Sequence, residues 1–176
     1  FPDPHLNAIA HAGMDAILVF VKGPDTTTMG HLDINDLIER ARRWGIGVYL
    51  YLCEPHGLPT DHAFWKKHPD VRGAEGPEMG KDVRLNALCT STNEVKRFLR
   101  EASGDLFRRA PRLEGVLLIT ASEHTGHCKQ RRIMTNPCPR CADRPPSEIV
   151  SEIVTLIRQG ARDAGSPARV VAWNWS

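Results

Sequence analysis

At 176 residues, with 41% hydrophobic against 25% charged residues, the chain can form one globular domain, and a disordered or fibrous class is excluded. A formal net charge of +2, with basic clusters only at Arg40, Arg42 and Arg43 and at Lys129, Arg131 and Arg132, is no footprint of nucleic-acid binding. No apolar run reaches the roughly 18 residues of a membrane span and no leader pattern is visible, so no membrane partner and a cytoplasmic location are expected.

Residues 1–13 read as a helix, with Asp3 as N-cap, Pro4 at the first helical position, Gly13 as the left-handed stop, and Leu6, Ile9 and Ala10 on one face. The apolar run 15–21 is a buried strand, followed by a polar loop over 22–30. Ile34, Leu37, Ile38, Ala41 and Trp44 predict a helix over 31–44, closed by Gly45. A second strand spans 46–52 and runs into Cys53-Glu54-Pro55-His56-Gly57.

From 58 to 90, Gly, Pro, His and charge break every pattern, which predicts a long functional loop with one short helix at 61–68. Ser91-x-x-Glu94 makes a capping box for a helix lined by Val95, Phe98, Leu99, Ala102 and Leu106. The third strand, 115–120, is a continuous apolar run ending at Ser122-Glu123-His124. A cysteine-bearing insertion at 124–143 follows. Pro145-Pro146-Ser147 then opens a helix to about 164, with Ile149, Ile153, Val154, Ile157 and Ala161 inward and Gly165 as stop. A fourth strand spans 168–173, before Asn174-Trp175-Ser176.

The order is therefore four strands alternating with helices. Right-handed crossovers make such a sheet parallel and α/β. A complete TIM barrel takes about 250 residues and eight strands, so the expectation is a single domain over 1–176 made of parallel (β/α) units forming about half of a TIM barrel. The sheet edges would then be covered by the remaining half of the barrel or by another chain. A self-standing open α/β sheet is the alternative.

Ligands and catalytic groups of parallel α/β folds sit at the carboxyl ends of the strands. Two carboxyls lie at consecutive strand ends here, Glu54 and Glu123. Glycoside hydrolysis needs such a pair, about 5–5.5 Å apart for a covalent route or about 6.5–9.5 Å for a water-mediated one. Glu123 is the candidate acid and Glu54 the candidate base or nucleophile. His124 and His56 adjoin them and can bind sugar hydroxyls. At the fourth strand end Trp175 offers an aromatic face for a sugar ring and Asn174 a polar contact, while Trp173 reads as barrel core or helix contact.

Three stretches also resemble a known family. "PDPHLNAIAHAGMDAILV", "GIGVYLYLCEPHGLP" and "RLEGVLLITASEH" are similar to the helix-and-strand opening, the Pro-Gly-His-type strand end and the Asp-Glu strand end of hexosaminidase-like (family 20-type) glycoside hydrolase barrels, in their bacterial relatives. The resemblance implies a TIM barrel, a carbohydrate substrate and Glu123 as general acid. It departs from the family at Ser122, which stands where the family has the Asp that orients an N-acetyl group, and at His56-Gly57, which reverses the order of the motif.

Cys138-Pro-Arg-Cys141 is a CxxC knuckle, and His127-Cys128 lies ten residues upstream. His127, Cys128, Cys138 and Cys141 make a ligand set suited to a structural zinc, with a disulfide or free thiols as alternatives. Cys53 and Cys89 read as buried small hydrophobes. The function expected is a glycoside hydrolase that needs no cofactor for catalysis. The alternatives are a non-catalytic saccharide- or partner-binding barrel module with a structural zinc, and a metal-dependent hydrolase built on Glu123, His124 and His127.

Overall fold

The computed structural model describes residues 1–21, 34–78, 82–121, 125–130 and 135–174, the side chains of 121 and 174 excepted. In chain order the elements are α1 Asp3–His11, β1 Ala16–Phe20, α2 Ile34–Arg42, β2 Gly47–Leu52, β3 Leu58–Pro59, α3 Phe64–Lys67, β4 Arg72–Pro77, β5 Arg84–Leu88, α4 Asn93–Arg109, β6 Gly115–Ala121, α5 Pro146–Asp163 and β7 Arg169–Asn174. Gly13, Gly45 and Gly165 follow α1, α2 and α5 with φ of 76°, 71° and 68°, the left-handed stop that a side chain disfavours.

Two helix starts differ from the sequence reading. The N-cap of α1 is Pro2, and Asp3 sits inside the first turn, where its charge meets the positive end of the helix. The N-cap of α4 is Thr92, whose Oγ1 accepts from Val95 N at 3.5 Å. Ser91 is free of that duty because its hydroxyl is engaged elsewhere, with Arg144 Nη1 donating to it at 2.8 Å.

The main sheet has the order β1-β2-β6-β7, and all three pairings are parallel. Register places Ile17 beside Val48, Leu50 beside Val116, and Val116 beside Val170. These residues share one face. It packs into a single core with Leu37, Ile38 and Ala41 of α2, Leu99 and Leu106 of α4, and Ile153 and Ile157 of α5. The opposite face is largely open: Leu18, Phe20, Val171 and Trp173 are 43%, 65%, 42% and 40% exposed, although Ile119, beside Trp173, is buried. Helices on one face and an open apolar face on the other are what part of a TIM barrel presents, its outer layer intact and its interior laid bare. Trp173 accordingly lies on the barrel-interior side.

The stretch read as a long loop holds a second sheet. β3, β5 and β4 form a three-stranded antiparallel sheet in the order β3-β5-β4, inserted between β2 and α4. The run Arg-Gly-Ala-Glu-Gly-Pro of β4 has neither β-branched residues nor a hydrophobic alternation, so nothing local announced a strand. Its pairing is supplied by neighbours: Arg72 Nε donates to Asn86 Oδ1 at 2.9 Å, and Glu75 N donates to Asn136 O at 3.0 Å. The short helix expected at 61–68 contracts to α3.

Candidate functional site

At the carboxyl end of β2 the chain leaves the sheet through Cys53 and Glu54, both buried, and crosses a cis Glu54–Pro55 peptide to a half-buried His56. The register pairs Leu52 with Leu118, which sets Glu54 level with the end of β6. The segment after β6 returns to the same place. Gly57 N donates to Thr125 O at 2.8 Å, and Leu88 N donates to Gly126 O at 3.2 Å. The approach leaves no room for side chains on the two glycines. A Cβ on Gly57 would lie 2.3 Å from Thr125 O, and one on Gly126 would lie 2.4 Å from Pro55 O. The loop carrying Glu54 and the residues directly after 124 are therefore packed backbone to backbone.

β6 is itself irregular there. Ile119 pairs with Trp173 and Ala121 with Asn174, so Thr120 is an extra residue, a bulge of the kind that re-aims chain ends near sites. Its Oγ1 donates to Trp173 O at 3.2 Å. Its carbonyl faces the buried ring of His127, whose Nε2 lies at 2.9 Å, while Lys129 N donates to His127 Nδ1 at 3.2 Å. An acceptor at one nitrogen and a donor at the other define a neutral imidazole with its proton on Nε2. Burial lowers its pKa, and the bond to Thr120 only partly opposes this.

Among the described residues two carboxylates are buried, Glu54 and Glu78, at 7% and 5% exposure. Glu78 was not singled out by sequence reasoning. It follows β4 directly, and Pro77 O accepts from Thr125 Oγ1 at 3.1 Å, which brings the end of β4 to the segment after β6. Its signal in the sequence is no more than a Glu after Gly-Pro. Ser122, Glu123, His124 and Trp175 lie outside the described residues. Asn174 ends β7, and its side chain also lies outside the described part.

The cysteines differ from the expected set in one member. The Sγ atoms of Cys89, Cys128, Cys138 and Cys141 all lie within 4.8 Å of one another, and all four residues are buried. His127 is not in this group, because both of its ring nitrogens are taken by backbone atoms. Cys89, at the end of β5, occupies the fourth place: its Sγ is 3.6 Å from that of Cys138 and 3.7 Å from that of Cys141. None of the five cysteines forms a disulfide. Polar hydrogens point at the sulfurs, from Ala74 N to Cys128 Sγ and from Arg140 Nε to Cys89 Sγ, each at 3.4 Å, and Ser91 Oγ lies 3.3 Å from Cys141 Sγ. The hydrogen bond with Cys128, together with that from Arg140, favours the Cys89 thiolate and lowers its pKa despite burial, whereas Cys128 and Cys141 are pushed up.

No protein-family profile and no curated protein sequence matches the chain. Solved structures do match. A variant of the GH36 α-galactosidase AgaA from Geobacillus stearothermophilus, in complex with 1-deoxygalactonojirimycin, aligns with a TM-score of 0.61 at 11% identity, over 98% of this chain and 25% of that one. TtGalA, an α-galactosidase from Thermus thermophilus in complex with p-nitrophenyl α-D-galactopyranoside, aligns with a TM-score of 0.55 at 18% identity, over 97% of this chain and 33% of that one. The α-galactosidase from Lactobacillus brevis gives 0.57 at 13% identity, over 97% and 24%.

At these identities the likeness is one of fold. The chain has the fold of part of a TIM barrel, and its structural neighbours are glycoside hydrolase barrels. They are α-galactosidases, so the hexosaminidase branch drawn from the sequence resemblance finds no support here. The chain spans about a quarter to a third of the length of these neighbours.

Proposed function

We propose that the chain is part of a glycoside hydrolase barrel, in which Glu123 serves as general acid and Glu54 as its partner carboxylate in cleaving an O-glycosidic bond. The observation that carries this reading is the convergence of strand ends: buried Glu54 lies level with the end of β6, against the segment that follows residue 124. Glu123 follows the apolar run of β6 in the sequence, and apolar neighbours of that kind would favour the protonated form that a general acid needs. His56, His124, Asn174 and Trp175 belong to the same strand ends and are assigned to the sugar. The exposed face of Leu18, Phe20, Val171 and Trp173 supports a further partner, the rest of the barrel or another chain, closing over it.

The fold neighbours make an α-galactoside the first substrate to try. An N-acetylhexosaminide, which the family 20 resemblance would suggest, is the weaker choice because Ser122 replaces the orienting Asp. The experiment compares Glu123→Gln with the unmutated sequence, both within the full-length parent protein, on two aryl glycosides. General acid catalysis is worth about 100- to 10,000-fold, so a poor leaving group should show a loss of that order and an activated one a much smaller loss. No loss on either substrate removes Glu123 from the mechanism. Saccharide binding without any turnover by the parent would favour the non-catalytic module.

A further inference from the structure

We infer that Cys89, Cys128, Cys138 and Cys141 bind one zinc ion as a closed four-sulfur structural site, with Cys89 rather than His127 as the fourth ligand. The inference stands independently of the glycosidase reading. A tetrahedral zinc with Zn–S bonds of about 2.3 Å holds its sulfurs about 3.8 Å apart. The Sγ separations of 3.6 and 3.7 Å from Cys89 match that edge, and the group as a whole lies within 4.8 Å. A disulfide would need about 2.05 Å. Four buried thiols facing one another have little else to gain from meeting, since each is a weak donor and acceptor.

The surroundings are those of a thiolate site. Binding Zn²⁺ requires the four cysteines to release their remaining protons, leaving a net charge of −2 on the metal and its ligands. Arg140 Nε at Cys89 Sγ, Ala74 N at Cys128 Sγ and the Ser91 hydroxyl at Cys141 Sγ are placed to offset it, as outer-shell donors do around metal ligands. The knuckle is preformed, with Cys141 N donating to Cys138 O at 3.1 Å in a 3-10 turn over Pro139–Cys141. Gly73 leaves room for the sulfur of Cys128, which a Cβ there would meet at 2.5 Å.

The ligands come from three places: the end of β5, the segment after β6, and the turn before α5. One ion thus ties the small antiparallel sheet to the segment that continues from the strand end of β6.

The test is metal analysis and zinc X-ray absorption on the protein purified under reducing conditions. The expected result is one zinc per chain with four sulfur neighbours at about 2.3 Å. Cys89→Ser should lower the zinc content to less than about a tenth of the parent's, while His127→Gln keeps it. Should Cys89→Ser fail to fold, the sulfur count on the parent and the zinc content of His127→Gln still decide. Three sulfurs with one nitrogen, loss of zinc in His127→Gln alone, iron in place of zinc, a disulfide by mass, or a metal-free protein with reactive thiols would each overturn it.

Discussion

The close contact between α4 and α5 offers a sharp test of how the outer layer is packed. Helices α4 and α5 meet where Gly160 faces Arg100, Ser103 and Gly104. An alanine Cβ at 160 would lie 2.4 Å from Arg100 O, 2.8 Å from Ser103 Cβ and 2.9 Å from Gly104 N, where ordinary contact begins near 3.4 Å. Two of those three atoms are backbone and cannot rotate away, so the helices must part by about 1 Å, a gap that forfeits up to about half of each dispersion contact it opens. Overpacking of this kind costs about 3 kcal/mol at the upper end of its usual range, and alanine returns about 1 kcal/mol of helix propensity. Gly160→Ala should therefore destabilise by about 2 kcal/mol.

Gly104, on the other side of the same crossing, should behave oppositely. Its added Cβ would meet Arg108 Nη1 at 3.2 Å and Nη2 at 3.5 Å, the end of a flexible side chain, and Gly160 O at 3.4 Å. Gly104→Ala should gain up to about 1 kcal/mol. Urea unfolding of the two variants against the parent measures both, with slopes unchanged if only stability has moved. Alanines that shift the midpoint in the same direction, or a Gly160→Ala protein as stable as the parent, would refute this packing of α4 on α5.

Two further outcomes follow from burial and charge. Leu50 on the helix-covered face is fully buried and Leu18 on the open face is 43% exposed, so in the 176-residue chain Leu50→Ala should cost about 2–5 kcal/mol and Leu18→Ala less than about 1; similar losses at both would mean that the second face is also covered. Glu152 is partly buried, which works against its charge, but Lys96 at 2.5 Å and Arg144 at 2.9 Å hold its pKa below the ordinary 4.5. With the folded pKa depressed, its contribution is complete above pH 4.5 and fades as pH falls through the lowered folded value. Glu152→Gln should lose about 1–2 kcal/mol at pH 7 and little near pH 3, seen in thermal or urea midpoints at both values.

The local grammar of the chain carries the four (β/α) units by itself. Apolar runs, helical periodicity and the glycines at 13, 45 and 165 act within one strand or one turn, and each element of the main sheet stands within a few residues of its expected bounds. Position of Glu54 at the end of β2 follows from the same local signals. What the sequence leaves open depends on distant partners. β-strand alternation is absent from β4, whose pairing is set by β5 and by Asn136. Phe98, in register with the apolar stripe of α4, is 45% exposed, because a stripe defines a face but not how far the neighbour covers it. The parallel strands are apolar on both faces, which predicts burial on both, yet only the chain's tertiary arrangement reveals which face the helices take. The cysteine set turns on the same distinction. CxxC is a four-residue pattern that sequence can display, whereas Cys89 joins it across 49 residues, through the packing of β5 against the segments that follow β6. His127, adjacent to Cys128 in the chain, turns its ring to the bulged Thr120 instead. Adjacency along the backbone cannot tell which way a side chain faces once the bulge has re-aimed its carbonyl.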